Sequence, residues 1–126
     1  MKSVIFEKTV TGIPATGDTD LISIGNREYT KLCVHVAVTG QALDNFDVLA
    51  RSNPAGALVN VTPADWSALA ATDYPGILYA SGNLATLAAA ASGYFEMDVT
   101  GLREITLRAS AAVNGASVAL ACSLSR

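Results

Sequence analysis

Residues 101–125, GLREITLRASAAVNGASVALACSLS, alternate small apolar and polar side chains on either side of one Asn-Gly pair. A period of two sends successive side chains to opposite faces of an extended chain, which is the signature of a half-buried strand. Ile105, Leu107 and Ala109 fall on one face, and Glu104, Thr106 and Arg108 on the other. Asn114-Gly115 predicts a tight hairpin, because a type I′ turn needs positive φ at both central residues. Val118, Leu120, Cys122 and Leu124 then share the core face of a returning strand.

The same period recurs upstream. KLCVHVAVT places Leu32, Val34, Val36 and Val38 inward and Cys33 and His35 outward. NFDVLARS continues through Phe46, Val48 and Ala50, and YFEMDVT through Phe95, Met97 and Val99. SVIFEKTV reads as a first strand, with Val4 and Phe6 on one face and Ile5 and Glu7 on the other. The Gly-, Pro- and Thr-rich TGIPATGDTD after it is loop chemistry. One segment changes period. Thr62 is a good N-cap, Pro63 fits the first helical position, and Trp66, Leu69 and Ala70 share a helical face, so a helix of about two turns is expected. Residues 77–93 fit either a one-turn helix or an irregular crossover.

Seven to eight short strands and one short helix, in a chain too poor in helical crossovers for a parallel sheet, predict an all-β fold. The expected form is a single domain over residues 1–126, an antiparallel β-sandwich or jelly-roll-like arrangement. Residues 1–20 are expected to serve as an N-terminal arm and loop.

Composition narrows the function. Charged residues are 15% of the chain, below the roughly 25% of an average soluble domain. A surface with few charges is often one that other subunits cover. The net charge of −3 and basic residues that form no run argue against a nucleic-acid partner. No stretch approaches the ~20 apolar residues of a membrane span, and the apolar patch at the start is too short for a signal peptide. Cys33 and Cys122 fall on opposite strand faces and are expected to stay unpaired.

Reactive constellations are sparse. His35 is the single histidine, and with Cys33 it supplies two ligands where a zinc site wants four. No G-x-S-x-G elbow accompanies it. The pairs Asp44 with Asp47 and Glu96 with Asp98 are read as turn chemistry and as cross-strand partners of Arg103 or Arg108, in preference to glycosidase acids. GDTD at residues 17–20 lacks the ligand count of a calcium loop. Trp66, Tyr74 and Tyr79 could form a glycan-binding shelf, although Trp66 also suits an anchor for the helix. The residues call for no enzyme activity, no cofactor and no metal.

The C-terminal third carries a resemblance. TLAAAASG at residues 86–93, DVTGL at 98–102 and TLRAS at 106–110, followed by a final hairpin, resemble small β-sandwich structural proteins of tailed bacteriophage particles. The resemblance implies a virion protein without catalytic residues, such as a head decoration (cement) subunit, acting as a homo-oligomer such as a trimer on the major capsid protein. A tail or head–tail connector component and a carbohydrate-binding module are the alternatives. Val4, Ile5 and Phe6 are the expected assembly contacts.

Overall fold

The computed structural model describes residues 3–53, 55–60, 77–81 and 92–126, without the side chains of 60, 77–81, 92 and 93. The strands are β1 (Ser3–Ile13), β2 (Thr19–Gly25), β3 (Lys31–Thr39), β4 (Leu43–Arg51), β5 (Val59–Asn60), β6 (Ile77–Ser81), β7 (Ser92–Asp98), β8 (Glu104–Ala111) and β9 (Ala116–Ser125). Seven of them have seven residues or more; β5 and β6 are shorter. They form two antiparallel sheets. The larger has the order β1-β9-β3-β7-β6, and the smaller β2-β8-β4-β5. The chain passes repeatedly from one sheet to the other, in the manner of a jelly roll. The all-β sandwich expected from the alternation is the fold observed. The expected helix lies outside the described residues. Within 77–93, the structure shows strand at Ile77–Ser81 and from Ser92 onward.

The core follows the predicted faces. Leu32, Val34, Val36 and Val38 from β3, and Val118, Leu120, Cys122 and Leu124 from β9, are buried. They meet Phe46, Val48, Ile105, Leu107 and Ala109 from the smaller sheet. Phe46 and Phe95 close the gap edge to face, with centroids 6.4 Å apart and planes at 76°. That geometry sets the positive ring edge of one against the negative face of the other.

Two expectations are corrected. Residues 3–13 form the first strand that SVIFEKTV predicts, extended to Ile13, in place of an arm. They are β1, paired with β9 from Ser3↔Ser125 to Val10↔Val118 and interrupted by a bulge before Ile13. And Asn114-Gly115 does not close a hairpin between paired strands. β8 belongs to the smaller sheet and β9 to the larger, so residues 112–115 form a corner between sheets. The corner is held from outside: Gly115 N–H donates to the Ile13 carbonyl at 2.9 Å, and Ala15 N–H donates to Asn114 Oδ1 at 2.6 Å. Gly115 has φ of +106°. Gly40 approaches it so closely that a Cβ there would sit 3.0 Å from the Gly115 carbonyl oxygen. Positive φ therefore calls for glycine at 115, as the sequence implied but for a different connection, and the close backbone approach constrains Gly40, whose φ is +81°.

The same separation of sheets redirects the ion pairs. β7 and β8 are not neighbours, so Glu96 and Asp98 cannot face Arg103 or Arg108. Glu96 lies 3.8 Å from Lys31, and Arg108 Nε donates to Asp20 at 2.6 Å. Asp98 accepts from the Thr100 N–H at 2.9 Å, and its hydrogen bonds with Thr100 hold the carboxyl below its usual pKa. No helix among the described residues is long and apolar enough to cross a membrane.

Both cysteines are free: Cys33 is half-buried on the outer face, and Cys122 is buried on the inner one. Burial pushes the Cys122 thiol up to about 11, with a smaller push from Cys33. A thiol whose pKa is raised on folding stabilises the fold below the unfolded value of 9.0, and that contribution is lost as pH rises through about 11. Two outcomes are expected. Mass measurement without reductant finds two thiols. Urea unfolding between pH 8 and 11 shows wild type losing more stability than Cys122→Ala over the same window.

Candidate assembly surfaces

Three surfaces stand out: a strand edge, a sheet face and a cleft. The edge is β1, the outermost strand of the larger sheet. Register places Val4, Phe6, Lys8 and Val10 beside Leu124, Cys122, Leu120 and Val118, on the core side. Yet Val4 is 42% exposed and Lys8 is exposed as well, while Phe6 and Val10 are only partly buried. The smaller sheet therefore does not reach across the whole inner side of β1. Ile5 points to the outer face and is 73% exposed. The three predicted contact residues are thus adjacent on one strand, but divided between its two faces. One edge of β1 also carries backbone groups that no strand among the described residues pairs, the standard template for association.

The outer face of the larger sheet is floored by small side chains. One row runs Glu7, Ala121, His35, Tyr94, and the next runs Thr9, Ala119, Ala37. His35 stacks on Tyr94, with centroids 5.1 Å apart and planes at 18°. Sequence reading placed His35 outward but missed its partner, because the pairing of β3 with β7 joins residues far apart in the chain. Among the described residues no group of three or more His, Cys, Asp or Glu side chains could hold a metal. Of the expected glycan shelf, Trp66 and Tyr74 lie outside the described residues. Tyr79 sits in β6 opposite Phe95, and its side chain is likewise outside them.

The cleft was not legible in the sequence at all. It opens at the end of the sandwich where β2, β4, β7 and β9 finish, and holds about 630 Å³ between Gly25–Tyr29, Arg51 and Arg103–Glu104. Three arginines separated widely in the chain, Arg27, Arg51 and Arg103, line it together. Arg51 is fixed by Glu104 and by the Gly56 carbonyl, and its Nε is buried without a hydrogen-bond partner. Arg126 pairs with Glu28. Arg27 and Arg103 are exposed and make no ion pair among the described residues.

Asn26 builds this end. It is 3% exposed. Its Nδ2 lies 3.1 Å from each of the carbonyl oxygens of Tyr29, Val99 and Leu102 and shares its two N–H groups among them, and its Oδ1 accepts from Tyr29 N–H at 3.1 Å. Its backbone N–H donates to the Arg103 carbonyl at 2.8 Å. One side chain thus ties the β2–β3 loop to the β7–β8 loop, and Arg27 and Arg103 on those loops line the same cleft.

No family model and no curated protein matches the chain. Solved structures do resemble it. The prophage SPBc2-derived protein YomS superposes with a TM-score of 0.50 at 15% identity, covering 95% of both chains. A protein of the disulfide-linked pili that form Bacillus endospore appendages gives 0.45 at 11% identity, over 98% of this chain and 88% of that one. A structure of infectious bursal disease virus, Gx strain, gives 0.44 at 11% identity, over 98% of this chain and 33% of that one. At 15% identity, what the chain shares with YomS is the fold.

The Asn26 network predicts a graded response. Asn26→Ala leaves buried carbonyls without their donor and is expected to lower stability by about 2–4 kcal/mol. Asn26→Asp sets carboxylate oxygen against the same three carbonyls and should be worse than alanine despite its similar shape. Urea denaturation of both variants checks the order; an aspartate variant as stable as wild type would disprove the network's role.

Proposed function

We propose that the chain is a non-enzymatic structural protein of a bacteriophage particle. The most concrete form of this reading is a head decoration (cement) subunit, self-associated as an oligomer such as a trimer and seated on the major capsid protein. The observation that carries it is β1, an edge strand of eleven residues with Val4 and Ile5 exposed on its two faces. An edge of that kind is stable in a protein that is covered on assembly, and it is a hazard in one that stays alone. The sparsely charged composition, the jelly-roll order of strands and the fold held in common with a prophage-derived protein support the same reading. Fold likeness by itself does not define function. The strand edge is therefore the feature to test.

Truncation is a poor probe, because residues 3–6 each occupy a rung of the β1–β9 ladder. A charge at Ile5 is a cleaner one. That side chain is 73% exposed, so Ile5→Lys should change folding stability by no more than about 0.5 kcal/mol. Purified protein is mixed with heads and with tails isolated from the parent phage, and co-sedimentation is scored. Wild type is expected on heads, with Ile5→Lys bound at least about tenfold more weakly. Retention on tails, or on glycans, in place of heads would overturn the decoration role and favour the tail-component or carbohydrate-binding alternative.

A further inference from the structure

Among the described residues, two exposed arginines without an ion pair lie at one end of the sandwich and two such aspartates at the other. At the end bearing the cleft, the sandwich gathers Arg27, Arg51, Arg103, Arg126 and Lys31, against Glu28, Glu104, Glu96 and Asp98. At the other end, where β2 and β4 begin, lie Asp18, Asp20, Asp44 and Asp47. Register sets Asp20, Arg108 and Asp47 in one row across β2, β8 and β4. The carboxylates of Asp20, Asp18 and Asp47 all act on the Arg108 guanidinium and raise its pKa. Arg108 is the one basic side chain among these four acids, and its hydrogen bond goes to Asp20. Asp18 and Asp44 are exposed and make no ion pair among the described residues, which matches the state of Arg27 and Arg103 at the far end.

We infer that the arginine-lined cleft of one copy receives the acidic end of a second copy, so that the chain associates head to tail. The two patches lie at opposite ends of the same strands, so they cannot meet within one molecule. A contact between unlike surfaces is heterologous, and it closes into a ring or runs on as a filament according to the rotation between neighbours. Charge complementarity selects the second copy over a polyphosphate partner. The net charge of −3 opposes nucleic acid, whereas Asp18 and Asp44 offer carboxylates to Arg27 and Arg103, which have no ion pair of their own among the described residues. The cleft walls are also fixed in advance by the Asn26 network and by the Arg51–Glu104 pair, so docking orders few side chains.

This contact specifies the self-association in the function proposed above. It is tested without any capsid, so the two ideas fail separately. Sedimentation velocity of the full chain is measured at about 0.05 M and about 0.5 M salt. Wild type is expected to associate at low salt and to lose about tenfold or more in affinity at high salt. Two double variants follow: Arg27→Glu with Arg103→Glu, and Asp18→Lys with Asp44→Lys. All four positions are exposed, so the melting temperature should stay near that of wild type. Each variant alone presents like charges at both of its ends and should sediment as the dissociated species. An equal mixture should reassociate, because the native acidic end of the first variant fits the native cleft of the second. Wild type that stays monomeric at low salt, single variants that associate as wild type does, or a mixture that stays dissociated would each overturn the inference.

Discussion

Asn26 is the joint on which one end of this sandwich depends. A jelly roll leaves several loops at each end whose backbone groups no strand can pair, and a buried polar backbone group without a partner is costly. Here one amide side chain serves the carbonyls of Tyr29, Val99 and Leu102 and also accepts from Tyr29 N–H. Backbone bonds complete the set, from Val99 N–H to the Thr30 carbonyl and from Thr30 N–H to the Ser125 carbonyl. The β2–β3 loop, the β7–β8 loop and the end of β9 are thereby one unit. The cleft lies against that unit, and Arg27 and Arg103 line it together because the two loops carrying them share Asn26 as an anchor.

How much of this was visible in the sequence depends on what the period of two can encode. It reports which face of its own strand a side chain takes, and those faces hold for β3, β4, β7, β8 and β9. It is silent about which sheet a strand joins. Asn114-Gly115 looks like a hairpin turn because its residues suit positive φ, but the corner between sheets needs the same chemistry, and only the pairing of β9 with β1 and β3 distinguishes the two. The misplaced partners of Glu96, Asp98 and Arg108 follow from that one ambiguity. Thr106 shows a second limit. It lies on the outer face of β8, as its parity demands, yet it is 1% exposed and hydrogen-bonds Ser23 at 3.0 Å. Parity sets direction, whereas burial depends on what else lies over the sheet.

The β1 edge shows how exposure and restraint coexist. Its first half carries Val4, Ile5 and Phe6, and its second half carries Glu7, Lys8 and Thr9. Lys8 lies on the inner side, beside Leu120, where an unrestricted extension of the sheet would have to bury its charge. Inward-pointing lysines and bulges are among the devices that limit indiscriminate edge pairing, and the bulge between Val10 and Ile13 adds to this one. Residues 3–6 are thus the part of β1 that the proposed association would use, a short segment whose backbone is already paired with β9.

Scarcity of charge makes the placement of each charge matter more. In a surface crowded with both signs, two arginines at one end and two aspartates at the other would be lost in the sum of their neighbours. Here charged residues are 15% of the chain, and the acids and bases with no partner among the described residues include Asp18 and Asp44 at one end and Arg27 and Arg103 at the other. Screening confines such fields to roughly 8 Å at physiological salt, so they act on a neighbour at contact and not across the molecule. What results is direction rather than strength. The buried sandwich core sets stability; in the proposed assembly the edge strand would supply apolar contact, and the unpaired charges at the two ends would determine which way a second copy faces.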